Sequence, residues 1–272
     1  MYDVIQEVID NILNNNSWGT IRAVSDMGEG ENYWNVGDTK SITINGKIGN
    51  TTVNQTINAV ILGFNHNADK EGNNRIHFLI GKSGDNICGM TDSKYNTEVS
   101  EAGWCSMNPS SNTLGTNMTG WSNSYMRQTF LGNTGTPAEP VENTFLAALP
   151  ADLRAEMKSC TKYSDNTGDG PNPSSAVTPI TDYLFLLAEF EVFGTHTHAN
   201  IGEQYHQVQY PYFKAGNDKI AGSWGDPEAG CLWWLRSVFD GNSTDFCIVE
   251  GGGSSDSSSA KYSLGVLAGF CI

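Results

Sequence analysis

Cys231-Leu-Trp-Trp-Leu-Arg-Ser237, Phe246-Cys-Ile-Val249 and Gly265-Val-Leu-Ala-Gly-Phe-Cys-Ile272 are three apolar stretches in the last forty or so residues of this 272-residue chain. They carry the large apolar and β-branched residues that core strands need. Trp233, Trp234 and Leu235 alone represent about 2 kcal/mol each of burial free energy. Between them lie Val238 to Asp245, Glu250 to Ser259 and Lys261 to Leu264, which follow neither a helical nor a strand period. Gly251-Gly-Gly-Ser-Ser-Asp-Ser-Ser-Ser259 has the composition of a flexible linker. Only residues 260–272 follow it here, so it reads as a surface loop or irregular strand within a domain. Arg236, a planar donor fork in an apolar run, reads as a structural pin that holds loops through carbonyls or a carboxylate.

This alternation of rigid frame and unpatterned filler resembles the variable region of proteins diversified by retroelements, the diversity-generating retroelement variable proteins of gut phages and bacteria. Trp233 to Ser237, Phe246, Cys247, Val249, Gly265, Val266 and Gly269 to Ile272 carry the frame of that pattern. The resemblance continues upstream at Trp18-Gly-Thr-Ile-Arg-Ala23, Tyr33-Trp-Asn-Val-Gly-Asp38, Ile61-Leu-Gly-Phe64, Asn74-Arg-Ile-His-Phe78, Trp121 to Leu131 and Asp182 to Glu191. It implies an α+β, C-type lectin-like fold of the branch that includes formylglycine-generating enzymes. It also implies a ligand-binding protein with a hypervariable region at about residues 238–267, used in phage receptor binding or host attachment.

The genetic code offers a check. An Asn codon randomised at its first two bases yields Phe, Tyr, Leu, Ile, Val, Ser, Thr, Asp, Gly and Asn among others. Phe239, Asp240, Gly241, Asn242, Thr244, Asp245, Ile248, Ser254, Asp256, Ser257, Ser258, Tyr262 and Leu264 all fall in that set. Glu250 and Lys261 do not. Together these fifteen positions are the expected variable, ligand-facing residues, with Phe239, Ile248, Tyr262 and Leu264 as apolar anchors. Trp233, Trp234, Arg236, Phe246 and Phe270 are the expected scaffold.

Composition limits the other classes. A net charge of −15 argues against nucleic acid and anionic membrane surfaces, because both are gripped by Lys and Arg. No apolar run suggests membrane insertion, and the first residues lack the basic start of a signal peptide. The expected location is therefore a virion surface, such as a tail, or a bacterial cell surface. The partner would be a cell-surface protein or glycan.

Six cysteines, Cys88, Cys105, Cys160, Cys231, Cys247 and Cys271, show no paired or zinc-type spacing. No thiolate-bound metal is expected, and buried free thiols are favoured over a Cys247–Cys271 bridge. His196, His198, Glu203 and His206 are residue types that bind zinc, but their spacing fits no motif, and a polar loop is the simpler reading. Asn65, Asn67, Asp69 and Glu71 loosely match a calcium loop, yet Phe78 stands where a bidentate Glu is needed. No catalytic residue and no cofactor are therefore expected, with calcium at that loop kept as the minority reading. The alternatives kept are a metal- or thiol-dependent enzyme of the formylglycine-generating-like branch and a non-variable tail decoration protein.

Along the chain, Val4, Ile5, Val8, Ile9, Ile12 and Leu13 predict an amphipathic helix over residues 2–14 that docks or self-associates to form a homo-oligomer. Residues 1–16 would form that element and 17–272 the lectin-like domain. A second helix is expected from Ser17, its N-cap, to about Met27. Ser41-Ile-Thr-Ile-Asn-Gly-Lys-Ile48 predicts a hairpin turning at Asn45-Gly46. Strands are expected at 57–64, 75–81 and 183–192, with Glu189 and Glu191 on one face of the last. Helices are expected at 122–131 and 144–160, the second broken at Pro150, and a long loop at 161–181.

Overall fold

β1 (Thr39–Ile48) and β2 (Thr51–Phe64) form a long antiparallel hairpin whose register runs from Thr39↔Val60 to Ile48↔Thr51. The chain passes straight through Asn45-Gly46 and turns at Gly49-Asn50 instead. Alternation decides the outcome: Ile42, Ile44 and Ile48 are all buried, so an earlier turn would strip Ile48 from the core. Gly46 serves a packing purpose, since a Cβ there would lie 3.3 Å from the Cα of Ala148. The computed structural model describes residues 9–92, 105–111 and 115–272.

β2 pairs with β3 (Ile76–Ser83), whose other edge is shared by two strands. β4 (Asn86–Gly89) takes Lys82–Ser83, and β11 (Gly269–Cys271) takes His77–Leu79. β7 (Ala221–Ser223) runs parallel to β4 and completes this six-stranded sheet. A second sheet, in the order β10-β9-β8, contains β8 (Trp233–Val238), β9 (Asp245–Val249) and β10 (Ser255–Ser259). A separate hairpin joins β5 (Cys160–Asp165) to β6 (Val177–Asp182). With several sheets and few, mostly short helices, the class is α+β.

Helix α1 (Trp18–Met27) forms as its sequence predicts. The Ser17 hydroxyl accepts the Thr20 N–H, and Gly28 closes the helix in the left-handed region. The expected helix over residues 2–14 does not extend through the residues described. Only a 3₁₀ turn at Leu13–Asn15 appears, and residues 1–8 lie outside the described residues. Side chains compete for the helix's backbone groups here. Asp10 accepts the Ile12 N–H, while the Asn16 amide donates to the carbonyls of Asp10 and Ile12. Leu13 is buried in the same core as the rest of the chain, and Lys40 Nζ donates to the Asn16 carbonyl at 2.5 Å.

Four further expectations change. Residues 122–131 hold a single π turn, Met126–Phe130. The 144–160 helix breaks at Pro150 as expected, into α2 (Phe145–Ala148) and α3 (Ala151–Glu156), but it ends at Glu156, and Cys160 belongs to β5. The predicted loop 161–181 contains most of β5 and β6, where the inward Lys162 and Ser164 are polar and so hid the alternation. Of residues 183–188 only Phe185 makes a strand bridge, and Glu189 starts helix α4 (Glu189–Phe193), because the Glu191 carboxylate accepts the Ala188 N–H at 2.9 Å and nucleates the first turn.

The frame residues are the core. Trp233, Trp234, Arg236, Phe246 and Phe270 are all at 0 % exposure. All six residues of β8 are buried because the strand leaves the ladder between Trp234 and Val238, where the Arg236 N–H donates to the Leu187 carbonyl at 2.8 Å. Gly265 and Gly269 are required by close approach: a Cβ on the first would meet Cys231 Sγ at 2.6 Å, and on the second the Phe185 ring. All six cysteines are free and buried, and Cys247 and Cys271 sit in different sheets, so no bridge joins them. Among the described residues no helix is long and apolar enough to cross a membrane.

Candidate functional site

Residues 239–245 link β8 to β9 and are held both by Asn117 and by side chains of their own. Asn117, fully buried, donates through Nδ2 to the carbonyls of Asn242 and Asp245, both at 2.9 Å, and its N–H donates to the Ser243 carbonyl at 3.0 Å. Its Oδ1 accepts the Asp169 N–H at 2.8 Å, which ties the 166–172 loop to the same point. Within the segment, Asn242 Oδ1 accepts the N–H groups of Thr244 and Asp245, an Asx turn. Phe239 is half-buried, its ring folded over Gly241 and 5.5 Å from the ring of His198. Asp240 accepts the Asn172 N–H at 2.9 Å.

The neighbouring arm, residues 196–200, is fastened by Glu189. This fully buried carboxylate accepts the N–H groups of Thr197 at 2.9 Å, His198 at 3.1 Å and Ala199 at 2.9 Å. It also accepts the hydroxyl of Ser255, the first residue of β10. One carboxylate therefore joins the arm to the edge strand of the second sheet. Ile201, Tyr205 and Val208, which follow the arm, are exposed.

The rest of the proposed variable segment divides cleanly. Gly241, Thr244, Ser254 and Asp256 are exposed. Phe239, Asp240, Asn242, Asp245, Glu250, Ser257, Ser258, Lys261 and Tyr262 are partly exposed. Ile248 and Leu264 are 2 % and 1 % exposed, which corrects their placement among surface anchors. Ile248 lies in the middle of β9, paired with Trp234 on one side and Asp256 on the other. The serine-rich stretch takes the strand alternative: residues 255–259 pair with β9 from Ser255↔Val249 to Ser259↔Asp245. Backbone hydrogen bonding needs no apolar side chain, so composition concealed this strand.

Beneath the face is a buried charge centre. Arg236 makes a two-pronged pair with Glu191, Nη1 to Oε2 at 2.5 Å and Nη2 to Oε1 at 2.8 Å, and also donates to the Leu186 carbonyl and Ser164 Oγ. Arg236 is thus the loop pin its sequence context predicts. Lys162 Nζ donates to Glu71 at 2.5 Å, Glu191 at 3.0 Å and the Tyr210 hydroxyl at 2.8 Å. Burial alone would raise the Glu191 carboxyl, but Arg236 and then Lys162 hold it down to about 2. Burial pushes His66 down to about 3, with Lys162 adding to the effect.

The candidate zinc residues do not converge. His198 Nδ1 lies 3.4 Å from Glu189, the His206 ring stacks on Tyr163 at 4.6 Å, and Glu203 accepts the Ser237 hydroxyl at 2.6 Å. His196 is partly exposed. The calcium-loop residues are engaged elsewhere: Glu71 faces inward to Lys162, Asn67 Nδ2 donates to Glu71 and to the His206 carbonyl, and Asn65 Oδ1 accepts the Arg75 N–H. Asp69 is left on the partly exposed turn.

Burial raises the Glu203 carboxyl to about 7, against the opposing pull of Arg236. The unfolded group releases its proton near 4.5, so the folded state holds a proton that the unfolded state has lost throughout the interval between. Stability therefore falls as pH rises through this window and levels off above about 7. In urea unfolding, wild type should lose about 2–3 kcal/mol between about pH 5 and about pH 8 through this group. Glu203→Gln should remove that portion of the slope.

Asn117, Glu189, Lys162 and Glu71 are the residues that sequence reasoning missed as site supports. Only the paired Glu189 and Glu191 carried a signal, acids within an otherwise apolar run. No curated protein and no solved structure matches the chain. The DUF6273 family, described as a domain of unknown function, matches residues 96–272, which contain the face, both its buried clamps and the Arg236–Glu191 pair. Since that match spans more than half of the sequence, the chain belongs to the DUF6273 family.

Proposed function

We propose that this protein is a ligand-binding protein with a C-type lectin-like fold, whose face at residues 239–262 is diversified by a retroelement and attaches a phage particle or bacterial surface to its target. The observation that carries this reading is the division of labour at the face. The backbone of residues 239–245 is held by Asn117, and the arm beside it by Glu189, neither of which belongs to the filler. Filler side chains that make no bond to the backbone can then change while it stays in place, whereas Asn242 and Asp240 also accept backbone N–H groups. The ligand-facing set is Phe239, Asp240, Gly241, Asn242, Thr244, Asp245, Glu250, Ser254, Asp256, Ser257, Ser258, Lys261 and Tyr262. Phe239 and Tyr262 supply the aromatic anchors that dominate interface energy. Asp240, Asp245, Glu250 and Asp256 outnumber Lys261, so the target patch is expected to carry compensating positive charge. A face rich in Ser and Gly gains little per contact, and repeated copies on a particle would provide avidity.

The double substitution Phe239→Ser and Tyr262→Ser should lower the melting temperature by no more than about 4 °C, because both side chains are only partly buried. Capture of target cells by the protein should be lost. A collapse in stability, or unchanged capture, would count against the assignment. At the level of the gene, deep sequencing of sibling isolates should find variation concentrated at codons 239–262, beside a reverse transcriptase and an imperfect repeat differing at adenines. Uniform codons there and no such repeat would remove the retroelement from the account.

A further inference from the structure

His77 on β3, Cys160 on β5 and Cys271 on β11 come from three strands far apart in sequence, and their ligand atoms all lie within 4.8 Å of one another. All three side chains are at 0 % exposure. Cys271 Sγ is 3.4 Å from His77 Nδ1. The Glu71 carboxylate flanks two of the three: its Oε2 is 3.5 Å from Cys160 Sγ and 3.7 Å from His77 Nδ1. We propose that His77, Cys160, Cys271 and Glu71 form a closed structural site for one zinc-class divalent ion.

Three of the spacings match such an ion as they stand, and small side-chain shifts would bring in the rest of the trio, whose ligand atoms lie within 4.8 Å. Zinc bonds of about 2.3 Å to sulfur and about 2.0–2.2 Å to nitrogen or oxygen, set at tetrahedral angles, place neighbouring ligand atoms about 3.3–3.8 Å apart. The three distances above fall within that range.

Charge is also consistent. In the surrounding centre Glu71 and Glu191 balance Lys162 and Arg236. Binding a divalent ion with loss of the two thiol protons to solvent leaves that balance unchanged, and no electron moves. Lys162 shares Glu71 with the ion, but it retains Glu191 and the Tyr210 hydroxyl as partners. Asn67 Nδ2 donates to Oε1 of Glu71 at 3.2 Å and steadies the ligating carboxylate, the usual second layer of a metal site. Glu191 is a poorer ligand, because Arg236 and Lys162 already occupy both of its oxygens.

Because every ligand is buried and Cys271 lies on the strand that closes the sheet, the ion would enter before β11 docks and would then pin the strand to β3 and β5. The experiment uses the full chain. Protein produced in zinc-supplemented medium should retain one zinc per chain through chelator treatment under native conditions, and X-ray absorption should count two sulfur and two nitrogen or oxygen neighbours. Protein produced in cobalt-supplemented medium should show thiolate-to-cobalt charge transfer and the visible bands of tetrahedral cobalt. Cys160→Ser combined with Cys271→Ser should abolish both metals, whereas Cys88→Ser, a buried thiol outside the cluster, should keep them. Metal-free wild type from both media, a neighbour count without sulfur, or a Cys160–Cys271 disulfide in the intact mass would overturn the proposal. The absorption measurement needs no variant, so a variant that fails to fold does not blunt the test.

Discussion

Replacing Arg236 by Met should lower the free energy of unfolding by about 3–5 kcal/mol, measured by urea denaturation, because it leaves Glu191 buried with half of its charge compensation removed. The guanidinium is at 0 % exposure and also supplies hydrogen bonds to Leu186 and Ser164, so β8, β5 and the 183–188 segment all lose a common tie. Arg236→Lys should recover little. One ammonium cannot reproduce the two-pronged contact with Glu191 while reaching the Leu186 carbonyl. Replacing Glu191 by Met as well should restore part of the loss, since an apolar pair of similar volume often does as well as a buried ion pair. Losses below about 1 kcal/mol for Arg236→Met would show that water reaches the pair and that the centre is not sealed.

The second large effect is expected at Glu189. Glu189→Ala removes the acceptor for three backbone N–H groups, those of Thr197, His198 and Ala199, and for the Ser255 hydroxyl. Each donor left buried and unpaired costs about 1–3 kcal/mol, and some will turn to water, so a total near 3 kcal/mol is expected. The functional consequence is separable from the stability loss. With its anchor removed, the 196–200 arm should show fast amide hydrogen exchange at residues 197–199 while β3 and β11 remain protected. Capture of the target should weaken even under conditions where the variant is fully folded. Retained protection at 197–199 would mean that the bridge from Ala199 to Phe239 holds the arm without the carboxylate.

Local signals in the sequence were read correctly wherever a short segment decides its own conformation. Ser17 capping α1 and Pro150 dividing two helices depend on neighbours within one turn. The apolar frame was equally legible, because Trp233, Trp234, Phe246 and Phe270 have no stable place except the core. Polar inward positions were not. Lys162 and Ser164 face inward on β5 in a segment whose composition suggests a loop, and only distant partners make their burial tolerable. The Asn45-Gly46 signal failed for a related reason: its local turn preference was outweighed by the burial of Ile48 further along the strand.

The candidate site followed the same division. Residues 239–262 stood out by composition, but which of them face solvent depends on pairing. Ile248 turns inward because β9 lies between β8 and β10, and Leu264 because its N–H donates to the Cys105 carbonyl as the chain re-enters the core. The sequence by itself determined that the apolar frame must be buried and where α1 begins, since transfer free energy and capping act locally. Tertiary structure alone decided that Glu71, His77, Cys160, Lys162, Glu191, Arg236 and Cys271 share one centre. Those groups span some two hundred positions, and only strand register and sheet order, which arise from non-local pairing, bring their polar atoms within bonding distance.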